Sequence, residues 1–265
     1  MIKINNHPLK INTFPDGTFL IKKNIVPVYY HGVNITWLYE NESELIELIY
    51  ITKHLRNHGI KDINLKMPYI PNSRMDRVKN KEEVFTLKYF CEIINSLNFN
   101  WVTVLDPHSH VSEALISNIK IETPKDIVES LIEQKLDKHN LIMFYPDSGS
   151  EKRYSSMFNL PYAFGMKKRD WETGEIKGLD VISQGDIKGQ NVLIVDDICS
   201  RGGTFYHSAK KLKELGANNI YLYISHCENT ILEGDLLDSG LIEKVFTTNS
   251  IFTKEHEKIE VLNYA

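Results

Sequence analysis

Stretches whose apolar residues recur every three or four positions alternate along this chain with short continuous apolar runs. Over residues 42–57 the apolar positions Leu45, Leu48, Ile49, Ile51 and Leu55 predict a helix closed by Gly59. Over residues 83–97 the same period turns Leu87, Phe90, Ile94 and Leu97 inward. Pro124 at a first helical position opens another helix, through residue 136. A fourth, amphipathic, runs over residues 205–215 and is stopped by Gly216. Between them, residues 63–70, 101–105, 141–145, 192–195 and 220–225 predict strands. The run of Val192, Leu193, Ile194 and Val195 is too short and too β-branched for a buried helix, and suits a strand covered on both faces. Such alternation predicts an α/β protein built of βαβ units, with mostly parallel sheets flanked by helices. The plan is repeated, which predicts an N-terminal domain over residues 1–122 and a C-terminal domain over residues 123–265.

Ligands of open α/β sheets bind beyond the carboxyl ends of the strands, and there the polar residues concentrate. The most informative segment is VLIVDDICSRGGT, residues 192–204. Asp196 and Asp197 stand where the predicted strand ends, and Ser200, Arg201, Gly202, Gly203 and Thr204 lead into the helix. A small-residue loop at a helix start aims backbone N–H groups and the helix dipole at one spot, which suits a phosphate. Carboxylates beside it would repel that phosphate unless they hold sugar hydroxyls or a bridging Mg2+, so the site reads as built for a phosphorylated sugar. The plain alternative is a βα turn with a surface acidic pair.

Three further loops share this position. Residues 68–77 (PYIPNSRMDR) bring Arg74, Met75, Asp76 and Arg77 together, as a ligand site or as a solvated loop with an Arg–Asp pair. Asp106, His108 and His110 cluster after another strand, a pattern open to a metal or phosphate role. Residues 146–153 (PDSGSEKR) put Asp147 at a strand end and Lys152 and Arg153 in a helix start. Lys167, Lys168 and Arg169 form either a solvated basic turn or a lid that carries charge onto a polyphosphate. Phe14, Asp16, Gly17 and Thr18 belong to a turn signature, read by itself as a hairpin.

Composition narrows the class without choosing the chemistry. A chain of 265 residues with 42% hydrophobic and 25% charged residues can bury full cores. Its net charge of -4, with no Lys/Arg run longer than the three cations at 167–169, argues against nucleic acid as a partner. Cys91, Cys199 and Cys227 are too scattered for a disulfide framework or a zinc site, and fit a reducing cytoplasm. No long apolar stretch points to a signal peptide or to association with a membrane.

Taken in order, FPDG, PY-x-x-x-x-R-x-DR, D-x-H, PD-x-G-x-x-KR, KKR and DD…GGT resemble the ribose-phosphate pyrophosphokinases, the phosphoribosyl-pyrophosphate (PRPP) synthetases. The resemblance spans roughly residues 14–250. It implies two domains of the type I phosphoribosyltransferase kind and transfer of the β,γ-diphosphoryl group of ATP to the anomeric hydroxyl of a ribose 5-phosphate unit, releasing AMP. By the same resemblance Phe14 and Arg74 would sandwich the adenine, with Met75 and Asp76 beside it. Asp16 and Gly17 would line the ATP site of a neighbouring subunit, which implies a homo-oligomer. His108 and Asp147 would hold Mg2+ on the ATP phosphates, and Lys167 and Arg169 would be catalytic lid cations. Asp196 and Asp197 would face the ribose hydroxyls, and Ser200, Arg201, Gly202, Gly203 and Thr204 would hold the 5'-phosphate.

Four departures stand out. Met75 replaces the family's Gln and Thr18 its Glu, both in the base-reading region. The chain ends at Ala265, short of the family's closing helix. The family's Asp-Thr becomes Ser200-Arg201, a shift of about two charge units toward positive in the phosphate loop. That change suits an acceptor with a diphosphate, ADP-ribose, which a branch of such proteins converts to ADP-ribose pyrophosphate for NAD salvage; the other acceptor is ribose 5-phosphate itself. A phosphoribosyltransferase consuming PRPP and a non-catalytic synthetase-associated regulatory protein are the rival readings.

Overall fold

The computed structural model describes residues 1–22, 32–169 and 176–265, and it divides into two compact units, Met1–Glu122 with Ala265, and Thr123–Tyr264. In the first unit, in chain order, come β1 (Ile2–Ile4), β2 (His7–Pro8), β3 (Asn12–Thr13), β4 (Phe19–Leu20), β5 (Val33–Trp37), α1 (Ser43–Asn57) and β6 (Ile63–Lys66). Then follow α2 (Thr86–Ser96), β7 (Val102–Leu105), α3 (Val111–Leu115) and β8 (Ile119–Glu122). Its main sheet has the order β2-β1-β5-β6-β7-β8, parallel from β5 to β8 and antiparallel at the β1–β2 edge. Leu48, Ile51 and Leu55 of α1 and Leu87, Phe90 and Ile94 of α2 pack with Ile35, Trp37, Leu65 and Val102 into one core.

The second unit holds α4 (Lys125–Lys135), β9 (Leu141–Tyr145), α5 (Ser148–Tyr154), β10 (Tyr162–Arg169), β11 (Ile176–Ser183) and β12 (Asn191–Cys199). It continues with α6 (Gly203–Glu214), β13 (Ile220–Cys227), β14 (Lys244–Thr248) and β15 (Ile259–Leu262). The sheet order is β11-β10-β9-β12-β13-β14-β15, with only the β10–β11 pair antiparallel among the described strands. Alternate residues of β9 and β12 face opposite cores. Ile142, Phe144, Val192 and Ile194 lie in one, and Leu141, Met143, Tyr145, Leu193 and Val195 in the other. This is the doubly covered strand that the aliphatic run predicts. Among the described residues no helix is long and apolar enough to cross a membrane.

Several boundaries differ from the sequence reading. The strand predicted over residues 192–195 runs on to Cys199, because β13 keeps pairing with it through Asp196↔Ile224, Ile198↔His226 and Cys199↔Cys227. Asp196 and Asp197 therefore stand on the strand and not past its end. Helix α6 begins at Gly203, two residues earlier than its apolar period suggests, so Thr204 lies in its first turn. Strand β6 stops at Lys66, four residues short of the predicted end, and α2 starts at Thr86, three residues late. Pro124 is the residue before α4 and not its first. Lys167, Lys168 and Arg169 fall on β10, opposite Leu179, Gly178 and Ile176 of β11, and not in a turn.

Candidate active site

Strands β9 and β12 are parallel neighbours, so the segments leaving their carboxyl ends emerge side by side. From β9 comes Asp147, the N-cap of α5. Its Oδ1 accepts from the backbone N–H of Gly149 (2.9 Å) and Ser150 (3.1 Å), while Ser150 Oγ reciprocates with the Asp147 N–H in a capping box. The other carboxylate oxygen takes no part in the cap. Six residues on, α5 presents Arg153, whose Nη1 lies 3.1 Å from Oδ2 of Asp197 on β12. Asp197 is 5% exposed, so this pair sits at the edge of the interior. Sequence reading placed Arg153 in a helix start without a role; the signal was that its helix and Asp197 follow neighbouring strands.

Asp196 turns its Oδ1 onto the backbone N–H of Asp197, at 3.1 Å. Burial, with the adjacent Asp197 carboxylate, pushes Asp196 well above the usual carboxylate range. One carboxylate matched to a guanidinium and one reluctant to ionise make a polar face that can accept from sugar hydroxyls without carrying two full negative charges.

Past Cys199 the chain turns through Ser200 and Arg201 to Gly202, which adopts φ +79°, the left-handed region where a side chain is disfavoured. No side chain caps α6 there among the described residues, a helix start of the kind that can take an anion. Gly203 and Thr204 are exposed at that end. Arg201 pairs with Glu233 (Nη2 to Oε2, 3.0 Å) and not with Asp197, the carboxylate nearest in sequence.

In the first unit, Asp76 is 4% exposed and receives both arms of the Arg77 guanidinium, at 2.7 and 2.9 Å. That fork, with smaller contributions from Ser109 and then His108, outweighs burial and lowers its pKa to about 2. The loops after β6 and β7 thus come together at Asp76. Asp106 opens the second of them at φ +42°, strained for a side-chain-bearing residue and held by its N–H to the Glu122 carbonyl (2.9 Å). His108 is half-buried, whereas His110 is exposed and leans on Glu113 (3.5 Å). Arg74 is exposed and Met75 half-buried in the same loop. Phe14, 48% exposed, borders a β3–β4 hairpin turn in which Asp16 Oδ1 accepts from the N–H (3.0 Å) and hydroxyl (2.7 Å) of Thr18, with Gly17 between them. His108 belongs to one unit and Asp147 to the other. Among the described residues no group of three or more His, Cys, Asp or Glu could hold a metal. The side chains of Lys167, Lys168 and Arg169 lie outside the described residues.

Two sheets of this topology, the second with a carboxylate pair on β12 and an uncapped helix start after it, make a doubled α/β architecture. The fold is that of a crystal structure of phosphoribosylpyrophosphate synthetase from Mycobacterium smegmatis, matched with a TM-score of 0.77 at 19% identity over 96% of this chain and 85% of that one. In sequence the chain is similar to the ribose-phosphate pyrophosphokinase of Pyrococcus abyssi, 29% identical over 97% of this chain and 88% of the relative. That of Aquifex aeolicus is likewise 29% identical, over 96% and 83%. Residues 173–263 match the phosphoribosyl synthetase-associated domain. The resemblance carried by the motifs thus extends over nearly the whole chain.

Proposed function

We propose that the protein is an ATP-dependent diphosphokinase. It transfers the β,γ-diphosphoryl group of ATP to the anomeric 1-hydroxyl of a ribose 5-phosphate unit and releases AMP. The observation that carries this reading is the likeness to ribose-phosphate pyrophosphokinases across both units, because a phosphoribosyltransferase that consumes PRPP has no need of the first. In the second unit, Asp196 and Asp197 would accept from the ribose hydroxyls, and the start of α6 with Thr204 would hold the 5'-phosphate. Arg153 would hold the Asp197 carboxylate in place. In the first unit, Arg74 and Phe14 would take the adenine, with Asp16, Gly17, Met75 and Asp76 around it, the turn at Asp16 serving a neighbouring copy in a homo-oligomer.

Mg2+ takes few protein ligands and fills its shell from phosphate and water. An imidazole at His108 and the non-capping oxygen of Asp147 suit that habit, each as a single ligand. The ion would supply charge neutralisation on the ATP phosphates. Transfer of this kind depends on in-line positioning and on cations near the oxygens where charge shifts. Lys167 and Arg169 are the residues proposed to provide them. Lys167→Ala should lower kcat by ~10^2-fold or more with little change in KM, a split that marks a transition-state contact. An unchanged kcat removes Lys167 from the mechanism.

For the acceptor we propose ADP-ribose, with ADP-ribose pyrophosphate as product and NAD salvage as its use. What supports it is the cationic Arg201 in a loop whose backbone already suits a monophosphate. Ribose 5-phosphate, giving PRPP, is the second reading, favoured by the names of the relatives. The test is nucleotide release from ATP with each acceptor in turn. AMP formation, and not ADP, supports diphosphoryl transfer. Higher kcat/KM with ADP-ribose supports the first acceptor, and turnover with ribose 5-phosphate alone returns the protein to PRPP synthesis.

A further inference from the structure

Ser200 and Arg201, the two loop positions that depart from the family pattern, are both tied by their side chains to one short segment outside every motif above. Ser200 Oγ lies 3.2 Å from Thr230 Oγ1, and Thr230 donates to Glu228 Oε2 at 3.1 Å. A hydroxyl has one proton to give. With that of Thr230 committed to Glu228, Ser200 is the donor to Thr230, and its proton points at the segment. Arg201 in turn reaches Glu233, at the end of the 3-10 turn Asn229–Glu233.

The backbones are fitted as closely. A Cβ on Gly234 would stand 1.9 Å from the Arg201 carbonyl oxygen, and one on Gly202 would stand 2.9 Å from Leu236 Cδ2. The ladder explains the juxtaposition. Cys199 and Cys227 are partners in β12 and β13, and the Glu228 N–H donates to the Cys199 carbonyl at 2.8 Å, so both segments leave the sheet together.

We propose that residues 228–234 form the second wall of the acceptor's 5'-phosphate site and that Glu233 sets its specificity, by holding the Arg201 guanidinium against the pull of a second phosphate. The proposal rests on the reading of residues 200–204 as the acceptor loop, and it names the acceptor class as a ribose bearing a 5'-diphosphate ester. The Arg201 and Glu233 side chains are 71% and 58% exposed, and an exposed pair is weak enough to exchange partners for a diphosphate that a guanidinium can grip with two hydrogen bonds. The Glu228–Thr230–Ser200 chain acts on the first phosphate, common to both acceptors, because it decides where the Ser200 proton points.

The test compares wild type with Glu233→Gln, Thr230→Val and the double variant Arg201→Thr/Glu233→Gln. KM for ADP-ribose and for ribose 5-phosphate is read from AMP release, and the affinity of each acceptor from calorimetry without ATP. Melting temperature checks that each variant is folded. Glu233→Gln should tighten ADP-ribose by about threefold, the size an exposed pair can contribute, and leave ribose 5-phosphate nearly unchanged. The gain should vanish when Arg201 is also replaced. Thr230→Val should shift both acceptors by the same factor, about two- to fivefold for one hydrogen bond redirected. An equal effect of Glu233→Gln on both acceptors, no effect, or a gain that survives loss of Arg201 overturns the assignment of Glu233. An unchanged Thr230→Val overturns the second wall. No AMP from wild type with either acceptor refutes the proposed function, and the calorimetry then still decides the specificity of the loop.

Discussion

Asp76 in the first unit and Asp196 in the second are acidic side chains whose pKa values move in opposite directions. Asp76 has a guanidinium docked on both of its oxygens and is held at about 2. Asp196 has a carboxylate for a neighbour and is driven up. Burial alone raises a carboxyl pKa, so the partner decides the sign. Asp76 has its hydrogen-bonding capacity engaged by protein and reads as a fixed anchor between two loops. Near the end of β12, Asp197 is paired with Arg153, while Asp196 accepts from the Asp197 N–H and has no cation paired with it among the described residues. The first arrangement is a structural anchor, and the second is the one proposed to bind the ribose.

The largest expected effect breaks the binding side of this contrast. Asp197→Asn removes the charge that Arg153 balances and the proposed acceptor for a ribose hydroxyl. It should cost about 1.5–3 kcal/mol in kcat/KM, as for a lost charged hydrogen bond. An enzyme with near-normal kcat/KM would place Asp197 outside the site.

Asp76→Asn tests the architectural side. The Asp76 carboxyl moves from 3.8 to about 2 on folding. A lowered carboxyl stabilises the fold above its unfolded pKa, and that contribution is lost as pH falls from about 4 toward 2. The substitution should therefore cost about 2 kcal/mol at pH 7 and almost nothing near pH 2, measured by urea unfolding at both. An equal cost at the two pH values would trace the effect to packing and not to the Arg77 fork.

Asp147 caps α5 and is proposed to hold a metal as well, and two substitutions separate these roles. Asp147→Ala should destabilise by about 1 kcal/mol through loss of the α5 cap, and should impair catalysis as well. Asn caps almost as well, so Asp147→Asn should keep the melting temperature and still lose activity if the second oxygen serves a metal. Full activity in Asp147→Asn would leave Asp147 a helix cap only.

Asp196→Asn should change stability with the opposite sign. A carboxyl raised on folding contributes stability below its unfolded pKa and loses it as pH rises through the folded value. Removing it should raise the melting temperature at pH 7 to 8 by about 2–4 °C, with no gain near pH 4, while activity falls. A lower melting temperature at pH 7 would show that Asp196 is held charged and stabilising, and the contrast with Asp76 would collapse.

The amino-acid order by itself determined the alternation of strands and helices and the repeat of the plan. Such features are local: the period of Leu48, Ile51 and Leu55 defines a buried helix face whatever it packs on, and Val192 to Val195 leave no face for water. The order of the motifs carried the family resemblance for the same reason. Only the tertiary structure decided how far β12 runs, because the register with β13, not the local apolar period, extends the ladder past both aspartates to Cys199. Partners were beyond the sequence too. Arg201 meets Glu233 and Asp197 meets Arg153, where proximity along the chain would have joined Arg201 to Asp197. Ser200 and Thr230 are 30 positions apart and touch because two parallel strands end level. Side-chain pairing at strand ends depends on register and on the path of each following segment, and no local period records either.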